Sequence, residues 1–272
     1  MHKRLIYCGF TSGWYICLLV RGVGIKYLHA GNAAKNGIHS ALLAELGFAG
    51  PAGFLEHQEG FAQAYANDYD LESVKNDLGS SFEICNTFRK KHFICGHIFP
   101  VIEALPNTHQ IQNIEHISAI RVYTYKAASV LTNKNPTSFA EAKFSIPYCI
   151  SSFLLYNMIK DCFEDKAAID SLNHLSEKVH IFEEVEYTID FPKNRRTKVE
   201  IILKNNKVVT GKVDVLKGTP ENPYTLNEIA EKVINALDYK GRRELASELI
   251  YEIEALKQKD NIGSLIEIAN KI

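Results

Sequence analysis

The chain has 272 residues, 46% of them hydrophobic and 23% charged, a globular composition with length for about two domains at ~150 residues each. With 31 Lys and Arg against 32 Asp and Glu the formal net charge is -1, so no global positive field exists to hold a polyanion, and nucleic acid is excluded as the default partner. Six cysteines (Cys8, Cys17, Cys85, Cys95, Cys149 and Cys162) are scattered without a C-x-x-C pair, which reads as reduced cytoplasmic thiols rather than a disulfide framework.

In chain order, the run Leu5 to Val20 comes first, behind Lys3 and Arg4, with the positive start and apolar middle of a signal peptide. It is too short, and too broken by Gly9, Thr11, Ser12 and Gly13, to span a bilayer, and no small-residue cleavage site follows promptly. A soluble intracellular chain with no membrane partner is therefore expected. From Gly31 the pattern turns helical, with Ala33, Ala34, Gly37, Ile38, Ala41, Leu42 and Ala44 at spacings of three and four and Gly47 as a stop. A second short helix is expected from Gly53 to Tyr65, after Pro51.

The middle of the chain changes period. Ile117 to Tyr125, Lys178 to Phe182, Glu184 to Phe191 and Val199 to Val215 are rich in Val, Ile, Thr and Tyr, which suits strands. Asn205 and Asn206 tolerate positive φ and split the last of these into a hairpin. Ser138 to Asn157 and Asp165 to Leu175 read as helices between the strands, so the layers are α+β rather than a regular βαβ alternation. After the turn-rich Gly218 to Pro223, Thr225 and Glu228 make a T-x-x-E capping box. Helices then follow over Leu226 to Leu237, Arg242 to Lys257 and Ile262 to Lys271.

Two polar clusters could carry chemistry. Lys26 and His29 are expected just ahead of the Gly31 helix, whose first turn has free N–H groups and a positive dipole end, a seat for a carboxylate. The plainer reading makes them a solvated cation and a capping imidazole. The stretch Phe88 to Ala104 holds Arg89, Lys90, Lys91, His92, Cys95 and His97 among aromatics. It reads as a basic surface turn, as a metal site on Cys95-x-His97, or as an anion-binding strand entering an active site. A single C-x-H supplies only half of a tetrahedral site, which disfavours metal. The sequence has no G-x-S-x-G elbow, no G-x-G-x-x-G and no G-x-x-x-x-G-K-[ST], so neither nucleophilic catalysis nor nucleotide binding has a warrant.

Taken in order, these blocks resemble the MmgE/PrpD family. KYLHAGNAAKNGIHSALLAELGFAGP is similar to that family's K-x-L-H-x-G-x-A-A-x-x-G helix and G-F-x-G-P turn, and EHQEGFAQAY to the segment that follows. FRKKHFICGHIFPVIEA, PTSFAEAKFSIPYCIS and GKVDVLKGTPENPYTLNEIAEKV are similar to its later blocks, so the likeness runs from about Ile25 to Lys232. The resemblance implies enzymes acting on small di- and tricarboxylates without metal or cofactor: 2-methylcitrate dehydratase, cis-aconitate decarboxylase and iminodisuccinate epimerase. It implies a fold of α and α+β class, a mainly helical domain from residues 1–84 and 223–272 around an α+β lid of 85–222, commonly as a homodimer.

Carried over residue by residue, the resemblance gives Lys26 and Lys90 as active-site lysines and His29 as the motif histidine. Ammonium groups there would hold a carboxylate while negative charge builds on the neighbouring carbon. The second block departs from the family: the histidine after Cys95 is Gly96, the final histidine is Phe99, and His97 falls between the expected positions. Family members also carry a long helical stretch before the lysine-histidine motif, where this chain has Met1 to Gly24. The sequence therefore expects a lyase that abstracts a proton next to a carboxylate, an epimerase of the same family as the alternative, or an inactive remnant or half of a two-chain enzyme. In that last case a second chain would supply the helical segment.

Overall fold

Burial alternates along two neighbouring stretches: Val122 and Thr124 in one, and Thr197, Val199, Ile201 and Leu203 in the other, are buried, and the residues between them are not. This is the two-residue period of a sheet with one covered face. A computed structural model describes residues 26–272 except 67, 77, 108–110 and 112. The expected signal-like run Leu5 to Val20 lies outside the described residues. Strands β1 (Ile117–Thr124), β2 (Val179–Glu183), β3 (Thr197–Leu203) and β4 (Val208–Val213) form one sheet in the order β2-β1-β3-β4. β1 and β2 run parallel; the other neighbours are antiparallel, and Thr124 faces Thr197 in register. Asn206, at φ 63°, turns β3 into β4, as the hairpin reading requires.

The helices, in chain order, are α1 (Lys26–Glu45), α2 (Phe61–Tyr65), α3 (Leu71–Asn76), α4 (Phe99–Glu103), α5 (Lys126–Ser129), α6 (Phe139–Ala142), α7 (Ile146–Tyr156), α8 (Lys166–Ser176), α9 (Val185–Asp190), α10 (Leu226–Tyr239), α11 (Ala246–Glu254) and α12 (Gly263–Ala269). With the sheet they make an α and α+β fold. The chain parts into two compact units: the described residues up to Asn86 with Ile94–Asp214, and Thr87–Phe93 with Val215–Ile272.

In the first unit α4 and α7 cover the sheet, and Ile98, Val101, Ile102, Ile120, Val122, Ile146, Ile150, Val199 and Ile201 form its apolar core. Gly211 on β4 permits this closeness, because a Cβ there would stand 2.2 Å from the Ala104 carbonyl oxygen at the end of α4. The single helix expected over Ser138 to Asn157 is two, α6 and α7. Ser138 and Ser145 each cap a new start by accepting from Glu141 N and Tyr148 N, and Pro147 has no N–H to return to the carbonyl four residues back, that of Lys143. That carbonyl instead accepts from Cys95 N at 3.0 Å, which ties the Phe88 to Ala104 block to the start of α7.

The strand expected over Glu184 to Phe191 is the helix α9. Tyr187 N and Thr188 N both return to the Glu184 carbonyl, and Tyr187 buries its ring with Tyr125, Ala128 and Phe191. Packing of one aromatic face thus overrides the β preference of Val185, Tyr187 and Ile189. Of the helix expected from Gly53 to Tyr65 only α2 forms; the Gly60 N–H closes a turn on His57 O at 2.7 Å and holds the preceding residues in turns.

In the second unit Thr225 and Glu228 close both halves of the capping box that opens α10. Between α11 and α12, Lys259 Nζ and Ser264 Oγ both donate to the buried Glu252 carboxylate. This pairing satisfies a charge that burial would otherwise penalise.

Candidate functional site

Lys26 and His29 lie within α1 and not ahead of it. No Pro and no capping Ser, Thr, Asp or Asn precedes Gly31 to start a helix there, and a helix tolerates an interior glycine at about 1 kcal/mol. The carboxylate seat expected from the free N–H groups of a helix starting at Gly31 therefore does not form there, since those N–H groups lie inside α1. The side chains of Lys26 and His29 lie outside the described residues.

Lys90 belongs to the second unit. Its segment returns to the chain through Gly218: Arg89 N donates to Gly218 O at 2.8 Å. Gly218 has φ +91°, and a Cβ on it would stand 2.0 Å from the Arg89 carbonyl oxygen, so only glycine lets the two strands of backbone meet. Lys232, one helical turn and a half into α10, donates through Nζ to the Lys90 carbonyl and lies 5.3 Å over the Phe93 ring. Burial lowers the Lys232 pKa. Burial, then Lys91, then Lys232 lower that of His92 to about 4. His92 is therefore neutral at pH 7, and Lys90, Lys91 and Lys232 make this edge of the unit cationic.

His97 belongs to the first unit, among partners that no signal in the sequence marked. β1 ends at Thr124, β3 begins at the facing Thr197, and β2 leads through α9 to Phe191, so Tyr125, Phe191 and Arg195 meet at one end of the sheet. His97 reaches the same place from the turn just before α4. Its Nδ1 lies 2.9 Å from Tyr125 Oη, and Arg195 Nη1 lies 3.3 Å from that oxygen and 3.5 Å from Nδ1. The Phe191 ring stacks on Tyr125 at 4.6 Å and 11°, and the Arg195 guanidinium lies 5.3 Å over Phe191.

Hydrogen-bond logic orders this cluster. Arg195 only donates, so Tyr125 Oη accepts from it. The phenol's single proton then goes to its other partner, His97 Nδ1, which the nearby Arg195 also requires to be an acceptor. The neutral imidazole consequently carries its proton on Nε2. Burial first and Arg195 second lower the His97 pKa to about 4, which keeps this form at pH 7. Burial lifts the Tyr125 hydroxyl to about 12 against the pull of Arg195, so it remains a phenol.

Cys95 and Cys149 are buried free thiols in the core, and burial and then Cys95 push the Cys149 thiol up, away from reactivity. Among the described residues no three His, Cys, Asp or Glu side chains converge as metal ligands, and no helix is long and apolar enough to cross a membrane.

An α and α+β chain with a cationic cluster at Lys90 and a hydrogen-bonded cluster of His97, Tyr125 and Arg195 matches one family of proteins twice. The MmgE/PrpD N-terminal domain matches residues 21–74 and the MmgE/PrpD C-terminal domain residues 92–258. The second match alone covers more than half of the residues, and the chain belongs to the MmgE/PrpD family. No curated protein matches it.

Proposed function

We propose that the protein is an MmgE/PrpD-type lyase acting on a small di- or tricarboxylate, in the manner of 2-methylcitrate dehydratase. The observation that carries this reading is the ordered match of both family domains along one chain. In this reading Lys26 and Lys90 hold substrate carboxylates and His29 is a further site residue. A base removes the proton from the carbon next to a carboxylate; the electron pair forms the carbon–carbon double bond as hydroxide leaves with a proton as water. Ammonium groups on the carboxylate stabilise the charge that builds on carbon, the largest single contribution in reactions of this kind. The cationic surroundings of Lys90 support that role, and no cofactor or metal enters the scheme.

On α1 and just after it, Ile38, Leu42, Leu46 and Phe48 are 65%, 52%, 77% and 68% exposed. This favours a second polypeptide over that face, a second copy of the chain in the homodimer that the family resemblance implies. Thermal unfolding with 2-methylcitrate, cis-aconitate and citrate, each against an equal concentration of chloride, tests the substrate class, because a ligand that binds the native state stabilises it by mass action. A rise in Tm with one of these acids is expected. No rise with any of them would overturn the reading.

A further inference from the structure

Thr87–Phe93 forms no helix or strand, so no regular ladder of backbone hydrogen bonds fixes the main chain that carries Lys90. The segment belongs to the second unit with Val215–Ile272, and two contacts from that unit reach it side by side. Gly218 O accepts from Arg89 N at 2.8 Å, and Lys232 Nζ donates to the Lys90 carbonyl. We infer that Lys232 is a positioning residue for carboxylate binding: its ammonium holds the Lys90 main chain and so sets the direction in which the Lys90 side chain leaves it. The inference rests on the proposed role of Lys90 as a carboxylate clamp and adds a residue to which the family resemblance gives no role.

Three observations support it. The frame that offers the two contacts is itself tied together. Lys217, next to Gly218, pairs with Glu228 on α10 at 3.2 Å, and the same Glu228 Oε2 accepts from Thr225 N at 2.8 Å and Thr225 Oγ1 at 3.0 Å. Glu228 stands one helical turn before Lys232, so Gly218 and the base of Lys232 are held in one piece. Lys232 also touches the segment at two points, the Lys90 carbonyl and the Phe93 ring 5.3 Å below its ammonium, and its stem is half-buried, so much of a lysine's rotamer freedom is already lost. The acceptor, finally, is a main-chain carbonyl and not a carboxylate. It fixes the ammonium without adding a negative charge, which leaves this edge cationic for an anion.

The test is a double-mutant cycle on the full-length chain, read by calorimetry with citrate, or with 2-methylcitrate or cis-aconitate if one of those raises the Tm instead. Lys232→Met keeps the stem and removes the donor, and about tenfold weaker binding is expected. Lys232→Arg, which keeps a donor, should recover most of the affinity. In a Lys90→Ala background Lys232→Met is expected to weaken binding no further, because two residues that act through one contact do not add. A lysine that merely supported the fold would cost the same with or without Lys90. Additive losses, or a folded Lys232→Met that binds as well as wild type, would overturn the inference and leave the proposed substrate class standing. Lys90→Ala binding as tightly as wild type would remove the clamp and the inference with it. If the wild type binds none of the three acids, the substrate class and the inference fail together. Should Lys232→Met not fold, Phe93→Leu replaces it, since Phe93 is 64% exposed and its ring is no part of the core. Binding about threefold weaker, and only while Lys90 is present, is then expected, and an affinity equal to wild type overturns the inference.

Discussion

His97 shows how one position acquires contacts that its neighbours in the sequence do not reveal. The C-x-H spacing was visible, but Tyr125 and Arg195 lie 28 and 98 residues away, and only the pairing of β1 with β3 brings them to it. Lys90, by contrast, was legible as a cationic position, and its tether through Gly218 was not, because a positive φ leaves no mark beyond the glycine itself. His92 and His97 titrate near 4 in the folded chain against an ordinary 6.5, so the unfolded state takes up protons first as pH falls. Stability should decline from about pH 6.5 and level off near pH 4, by on the order of 1 kcal/mol for each histidine once solvent screening is allowed for. Urea midpoints at pH 7, 6 and 5 check this, and a midpoint that rises toward pH 5 would contradict it. If Lys90 clamps a carboxylate, Lys90→Ala should weaken citrate binding about tenfold or more while the Tm of the free protein stays put, since a charge-assisted contact contributes roughly 1.5–3 kcal/mol. Equal affinity by calorimetry would remove Lys90 from the site.

At the scale of elements, the signals that the sequence carried locally were the ones that held. The capping box at Thr225 and Glu228 is a four-residue pattern, and it forms with the Thr225 hydroxyl accepting from Glu228 N at 3.3 Å. The hairpin at Asn206 is equally local. Two expectations failed where distant residues intervened: α9 replaced a strand because Tyr187 found a buried aromatic partner in Tyr125, and the Ser138 to Asn157 helix broke where Pro147 released a carbonyl to Cys95. Lys26 and His29 moved inside α1 because a glycine inside a helix carries too small a penalty to set its boundary. Thr225→Ala should therefore cost about 1 kcal/mol, the usual loss of a helix cap, read as a lower urea midpoint. Gly218→Ala should cost more, since the added methyl meets the Arg89 carbonyl at 2.0 Å as well as the strain of φ +91°. An unchanged midpoint in Gly218→Ala would mean that the Lys90 segment does not depend on that contact.

For the whole molecule, the composition and charge pointed to a globular chain of two parts with no call for nucleic acid, and the ordered motifs pointed to the family that the domain matches establish. The fold class was legible because the α and β periods occupy different stretches of the chain. The proposed homodimer makes a direct prediction: light scattering should give a mass of two chains, and Leu42→Glu on the exposed face of α1 should return it to one. A wild-type monomer would contradict the pairing. The proposed reaction is abstraction or return of a proton next to a carboxylate, and proton NMR in deuterated water reads that event whether the outcome is dehydration, decarboxylation or epimerisation. The chain incubated with 2-methylcitrate, citrate or cis-aconitate is expected to consume one of these acids or to place solvent deuterium on carbon beside its carboxylate. All three acids remaining intact and undeuterated would contradict the account.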